Sequence, residues 1–148
     1  HLVYVDAVVP RPGESWSSTH GRATRQARLQ AAAATPEFSF PAPDPAVFGL
    51  QDADYEWVKR RQTPHPGHTY EAPLDFDPAR VARVPRTFID CTAPALGTID
   101  AIRARVRDAG FWDGAWLPGS RRIELATGHS PMISMPEATT RLLLDLAG

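Results

Sequence analysis

The apolar positions of this chain fall into two kinds of run. Leu2-Val3-Tyr4-Val5-Asp6-Ala7-Val8-Val9-Pro10 is almost continuously apolar and β-branched. Such a run reads as a strand buried on both faces, as in a parallel sheet. Arg86-Thr87-Phe88-Ile89-Asp90-Cys91-Thr92 reads as a second core strand, and Arg121-Arg122-Ile123-Glu124-Leu125-Ala126 as a third, partly alternating one. Elsewhere the spacing is helical. A helix is predicted over 14–34, with Arg22, Arg25 and Arg28 on one side. Ile102 and Val106 share one face of another over about 99–109. Ser134 and Glu137 have the spacing of a capping box, with Pro136 in the first turn. They open a last helix whose buried side is Leu142, Leu143, Leu144 and Leu146. Strands alternating with helices predict an α/β fold with a parallel sheet.

The stretch 36–85 breaks this alternation. It holds most of the chain's 15 prolines, with Phe38, Phe40, Phe48, Tyr55, Trp57, Tyr70 and Phe76 among them. A disordered linker is poor in aromatics. The stretch therefore reads as a packed, irregular element with one short helix near 52–61. The chain is then one domain over 1–148, with residues 11–85 inserted as a helical, proline-rich lid. No internal repeat is seen.

Composition narrows the function classes. The 43% hydrophobic content supports a core, and a net charge of −1 argues against a nucleic-acid partner. No apolar run approaches the roughly 20 residues of a membrane span. The single cysteine, Cys91, excludes an internal disulfide and suits a reducing, cytoplasmic setting. The first residue is His1, with no signal pattern after it, which is the expectation for a processed, truncated or clipped product.

The chemistry gathers at Ala126-Thr127-Gly128-His129-Ser130-Pro131-Met132. His129 sits on a loop between a predicted strand and a predicted helix, a mounting that can aim a general base. Gly128-His129-Ser130 imitates a nucleophile elbow, but Met132 stands where that turn needs glycine. More decisively, Pro131 follows the serine and has no N–H to give an oxyanion. A base histidine needs a carboxylate on its other ring nitrogen. Asp6 ranks first, because a carboxylate late in a buried strand must be paired. Asp90 and then Asp100 are the alternatives, although Asp100 opens a helix and suits a capping role. His65 and His68 are separated by Pro66 and Gly67, which exclude a helical metal pair. No glycine-rich phosphate loop is present, and no cofactor or metal is expected.

These same segments resemble one family. The run 2–10, with Gly13-Glu14-Ser15 after it, resembles the sixth strand and lid entrance of α/β-hydrolase fold enzymes. The branch it resembles is that of plant methyl-ester esterases, hydroxynitrile lyases and pyrethroid-type esterases. Thr87–Thr92 resembles the next strand, and Thr127–Met132 with Ser134 and Pro136 resembles the segment that bears the histidine. The resemblance covers almost the whole chain and implies its C-terminal portion only. The nucleophilic serine then lies upstream of His1. Many relatives place the acid after the strand matching Thr87–Thr92, where this chain has Cys91-Thr92-Ala93-Pro94. In haloalkane dehalogenases and some relatives the acid ends the previous strand, where Asp6 falls.

The expectation is an esterase portion on small ester substrates. His129 is its general base, Asp6 orients it, and Trp16, Phe48, Trp57 and Tyr70 line an apolar pocket. The same fold also serves lyase, lactonase and dehalogenase chemistry. The rival expectation is a non-catalytic binding module, since a chain without nucleophile or oxyanion loop is inactive alone. A half-sheet exposes a strand edge, so the partner is a complementary N-terminal part or a second copy.

Overall fold

The computed structural model describes residues 1–112 and 121–148. Its centre is a parallel sheet of β1 (Leu2–Val5), β4 (Arg86–Cys91) and β5 (Arg121–Leu125), in the order β1-β4-β5. Val5 lies beside Ile89, and Ile89 beside Ile123, and β4 and β5 run two residues beyond the end of β1. β4 is buried along all six residues, as its apolar run requires. β1 is shorter than the run 2–10 suggests, because Asp6 takes a left-handed φ of 45° and ends the strand. Aspartate tolerates that region better than a β-branched residue would.

Helix α5 (Asp100–Arg107) packs on this sheet. Phe88, Val9, Ile99, Ile102 and Val106 form the resulting core, with Tyr4 and Val8 against it. The four-residue spacing of Ile102 and Val106 is what makes that face.

The inserted segment has a core of its own. Ala32, Phe40 and Tyr70 are buried together, with Trp16, Leu29 and Phe38 packed on them. It comprises α1 (Arg22–Ala33), a short antiparallel ribbon of β2 (Ser39–Phe40) and β3 (His65–Pro66), α2 (Asp52–Lys59), α3 (His68–Glu71) and α4 (Pro78–Val81). The helix expected from residue 14 starts only at Arg22. Ahead of it, Ser18 donates through its hydroxyl to the Ser15 carbonyl at 2.7 Å, and its N–H donates to the Ser15 hydroxyl at 3.2 Å. Serines that bond the local backbone in this way compete with helix formation.

The C-terminus departs from expectation in two respects. The capping box does not form: α7 (Pro136–Ala147) starts after Met135 without a side-chain cap. Ser134 instead donates to the Ser130 carbonyl and bonds the Thr127 hydroxyl, because the short α6 (Pro131–Ser134) precedes it. The four leucines of α7 are also not its buried side. Leu143 and Leu144 are 39% and 66% exposed, and Leu142 and Leu146 are half-buried. Thr139 is the residue of α7 that is buried, with its hydroxyl on the Pro131 carbonyl.

Glu14 ties the start of the inserted segment to α5. Arg105 grips its carboxylate with both terminal nitrogens, at 2.6 and 2.9 Å, and the Arg11 N–H donates at 2.7 Å. Burial alone would raise the Glu14 carboxyl, but the bonds from Arg105 and Arg11 override it and hold it below its ordinary value. A depressed carboxyl stabilises the fold above its unfolded pKa, and that contribution fades as pH falls through the folded value. Glu14→Gln is expected to cost about 1 kcal/mol at pH 7. The difference from the parent should shrink as pH falls below the ordinary glutamate value and close below the folded one, as read by urea midpoints.

Candidate active site

The parallel register brings Asp6, at the end of β1, next to the loop that follows β5. His129 on that loop directs Nδ1 at Asp6 Oδ2, 2.8 Å away. Asp6 is fully buried, and the His129 side chain is 28% exposed. No hydrogen-bond partner meets Nε2 among the described residues, and the ring borders a cavity of about 730 Å³. A carboxylate on Nδ1 holds the proton there, so that Nε2 is left as the basic nitrogen facing the cavity.

Asp6 is not paired with His129 alone. Arg103 of α5 donates from Nη2 to both of its oxygens, at 2.8 and 3.0 Å. The Cys91 N–H also donates to Asp6, at 3.3 Å. The same guanidinium donates from Nε to Asp90 at 2.9 Å and to the Cys91 and Leu96 carbonyls. Arg103 is 4% exposed and both aspartates are 0% exposed. Burial alone would make Arg103 easier to deprotonate, but Asp6 and Asp90 reverse this and hold its pKa above the ordinary value.

The alternative acids lie elsewhere. Asp90 accepts from Arg103, Arg107 and Arg122 and makes no bond to His129. The Asp100 side chain is 71% exposed, sits in the first turn of α5 and pairs with Arg103 at 3.1 Å. Cys91 is fully buried, and that burial, reinforced by Asp6 and Asp90, pushes its thiol up to about 12. Such a thiol is inert, so its single occurrence says little about the redox setting of the chain.

The inserted segment supports the histidine directly. The His129 N–H donates to the Phe48 carbonyl at 3.0 Å, and the Phe48 ring stacks on the imidazole with centroids 5.3 Å apart. Two glycines permit that approach. A Cβ on Gly128 would lie 2.2 Å from the Phe48 carbonyl oxygen, and one on Gly49 would collide with Pro94. Gly49 also has a φ of 79°, which a side chain would strain.

Of the four aromatics expected at the pocket, Trp16 and Phe48 border the cavity. Tyr70 and Trp57 do not. Tyr70 is fully buried in the segment's own core, with its hydroxyl 2.7 Å from His20 Nδ1. Trp57 is 46% exposed on α2, under the Arg61 guanidinium. Irregular segments have no period from which a facing direction can be read, so sequence could not separate these from Trp16. Phe40, Val47 and Arg28 also line the cavity. Arg103 was also missed, since beside Ile102 it reads as a solvent-facing helix residue. The signal that could have found it is electrostatic: two buried carboxylates on adjacent strands require a cation.

A parallel sheet with helices is the arrangement of the α/β-hydrolase fold. A solved structure with this fold is similar to the chain at a TM-score of 0.72 and 15% identity. It is an extracellular α/β-hydrolase from a Paenibacillus species, described as sharing structural and functional homology with tobacco salicylic acid binding protein 2. The similarity covers 97% of this chain and 60% of that one, so the chain spans well under the full length of its neighbour. At that identity the likeness speaks to fold. No family model and no curated protein matches the chain. Among the described residues no helix is long and apolar enough to cross a membrane, and no cluster could hold a metal ion.

Arg103→Ala is expected to cost about 3–5 kcal/mol, because it leaves two buried carboxylates without their shared cation. Urea unfolding at pH 7 measures it. An unchanged midpoint would show that the pairing contributes nothing to stability.

Proposed function

We propose that the chain is the C-terminal portion of a serine α/β-hydrolase that cleaves small, moderately apolar carboxylic esters. The observation that carries this reading is the 2.8 Å bond from His129 Nδ1 to the buried Asp6, with Nε2 unpartnered among the described residues at the cavity wall. In this reading His129 takes the proton of a serine supplied from outside the chain, then returns it to the leaving alcohol. Asp6 fixes the tautomer and stabilises the imidazolium. Trp16, Phe40 and Phe48 hold the apolar part of the substrate, and residues 11–85 act as its lid. The branch of esterases and hydroxynitrile lyases is part of the same proposal.

No serine hydroxyl bonds His129 among the described residues, and Ser130 is followed by Pro131, which has no N–H for an oxyanion. The chain alone is therefore read as inactive. Its natural partner is a complementary N-terminal part that extends the sheet at the outer edge of β1, where Leu2 is 38% exposed. A second copy on the same edge is the competing arrangement, and size-exclusion chromatography separates the two.

The test joins the chain to the sequence encoded ahead of His1 and follows p-nitrophenyl acetate and butyrate. His129→Ala and Asp6→Asn are each expected to lower kcat about a thousandfold or more. Full activity in His129→Ala overturns the assignment. Loss only in Asp90→Asn, with Asp6→Asn active, moves the acid to Asp90.

A further inference from the structure

One permanent cation stands on the wall of the cavity among the described residues, and it is Arg28. It is half-buried on α1, whose Ala27 and Ala31 also border the cavity. Its guanidinium lies over the Trp16 ring, 5.1 Å from the centroid, and over the Tyr70 ring at 5.7 Å. Aromatic faces attract a cation but use none of the in-plane N–H donors of a guanidinium.

Several arginines of the chain are committed to carboxylates. Arg25 is paired with Glu71, Arg105 with Glu14, and Arg103 with Asp6, Asp90 and Asp100. No carboxylate pairs with Arg28 among the described residues. A neighbouring group registers this positive charge: burial first, and then Arg28, push the His20 imidazole below its ordinary value. A half-buried guanidinium on an aromatic platform, at the wall of an otherwise largely apolar cavity, is suited to an incoming anion. A carboxylate can take two of its parallel N–H donors.

We propose that Arg28 forms a subsite for an organic carboxylate, so that the preferred substrate is an ester whose apolar body also bears a free carboxylate. With the carboxylate on the acyl part, such a compound is a half-ester of a dicarboxylic acid. The ester part rests on the hydrolase reading above; the anion subsite does not. Trp16 and Phe40 flank the subsite and suit an aryl body, and about 730 Å³ falls within the usual size of a small-ligand site. Hydrolysis adds water across the acyl C–O bond. The acyl carbon gains the oxygen, the alcohol leaves with a proton, and a dicarboxylate and one further proton result.

The probes are 4-(methoxycarbonyl)benzoate and methyl benzoate as substrates, and terephthalate and terephthalamide as ligands. The full-length protein is used, with Arg28→Met and Arg28→Lys. In the parent, kcat/KM favours 4-(methoxycarbonyl)benzoate over methyl benzoate. Arg28→Met is expected to reduce that preference roughly 10- to 100-fold and to weaken terephthalate binding by a similar factor. Arg28→Lys keeps the charge but loses the planar fork, and should restore part of both. Equal terephthalate binding by the parent and Arg28→Met overturns the subsite, whatever the esterase activity. So does terephthalamide binding as tightly as terephthalate. Binding of terephthalate that depends on Arg28, with no ester cleaved, supports the subsite and overturns the hydrolase reading.

Discussion

Three charges buried in the core constrain the rest of this structure. Asp6 and Asp90 are inaccessible to solvent, and Arg103 nearly so. Each carboxylate would lose several kcal/mol of hydration on burial. One guanidinium serves both, donating Nε to Asp90 and Nη2 to Asp6. That sharing relies on β1 and β4 being adjacent and parallel, with Arg103 of α5 reaching both aspartates. The charges therefore specify the arrangement as well as tolerating it. His129 is a further partner of Asp6, so the imidazole is held by the same network that ties α5 to β1 and β4.

Much of this was legible in the residues, for identifiable reasons. A carboxylate inside a continuous apolar run must find a partner, and Asp6 stands out in 2–10 for that reason. His129 follows a strand and precedes a proline-led turn, which is a local pattern. Arg103 was not legible, because helical periodicity ranks residues by polarity and takes an arginine as solvated. Only the two strand aspartates considered together call for it. The leucines of α7 misled in the opposite direction. Four leucines in five positions, 142–146, cannot all face one way on a helix with 3.6 residues per turn. Leu144 is accordingly exposed.

The inserted segment shows a different limit. Its aromatics correctly argue for a packed element, since Phe40, Tyr70 and Trp16 build a second core. Which of them reach the cavity depends on turns that lack a period. Ser15 and Ser18 stop the helix expected from residue 14 by bonding their own backbone. The break lets Trp16 turn between Tyr70 and the cavity, where it also carries Arg28.

The segment and the strand ends meet at a backbone contact with consequences for both. The Phe48 carbonyl accepts from His129 N–H, and the Phe48 ring covers the imidazole. Gly128 and Gly49 are the residues that let two backbones come that close. One face of the histidine is thus fixed by the segment, and its Nδ1 by the sheet through Asp6. Phe48 belongs both to the wall of the cavity and to the support of the histidine. A shift of the segment that resized the cavity would also move the imidazole. Cavity shape and the position of the imidazole are therefore coupled, and any change made at Phe48 acts on the histidine as well.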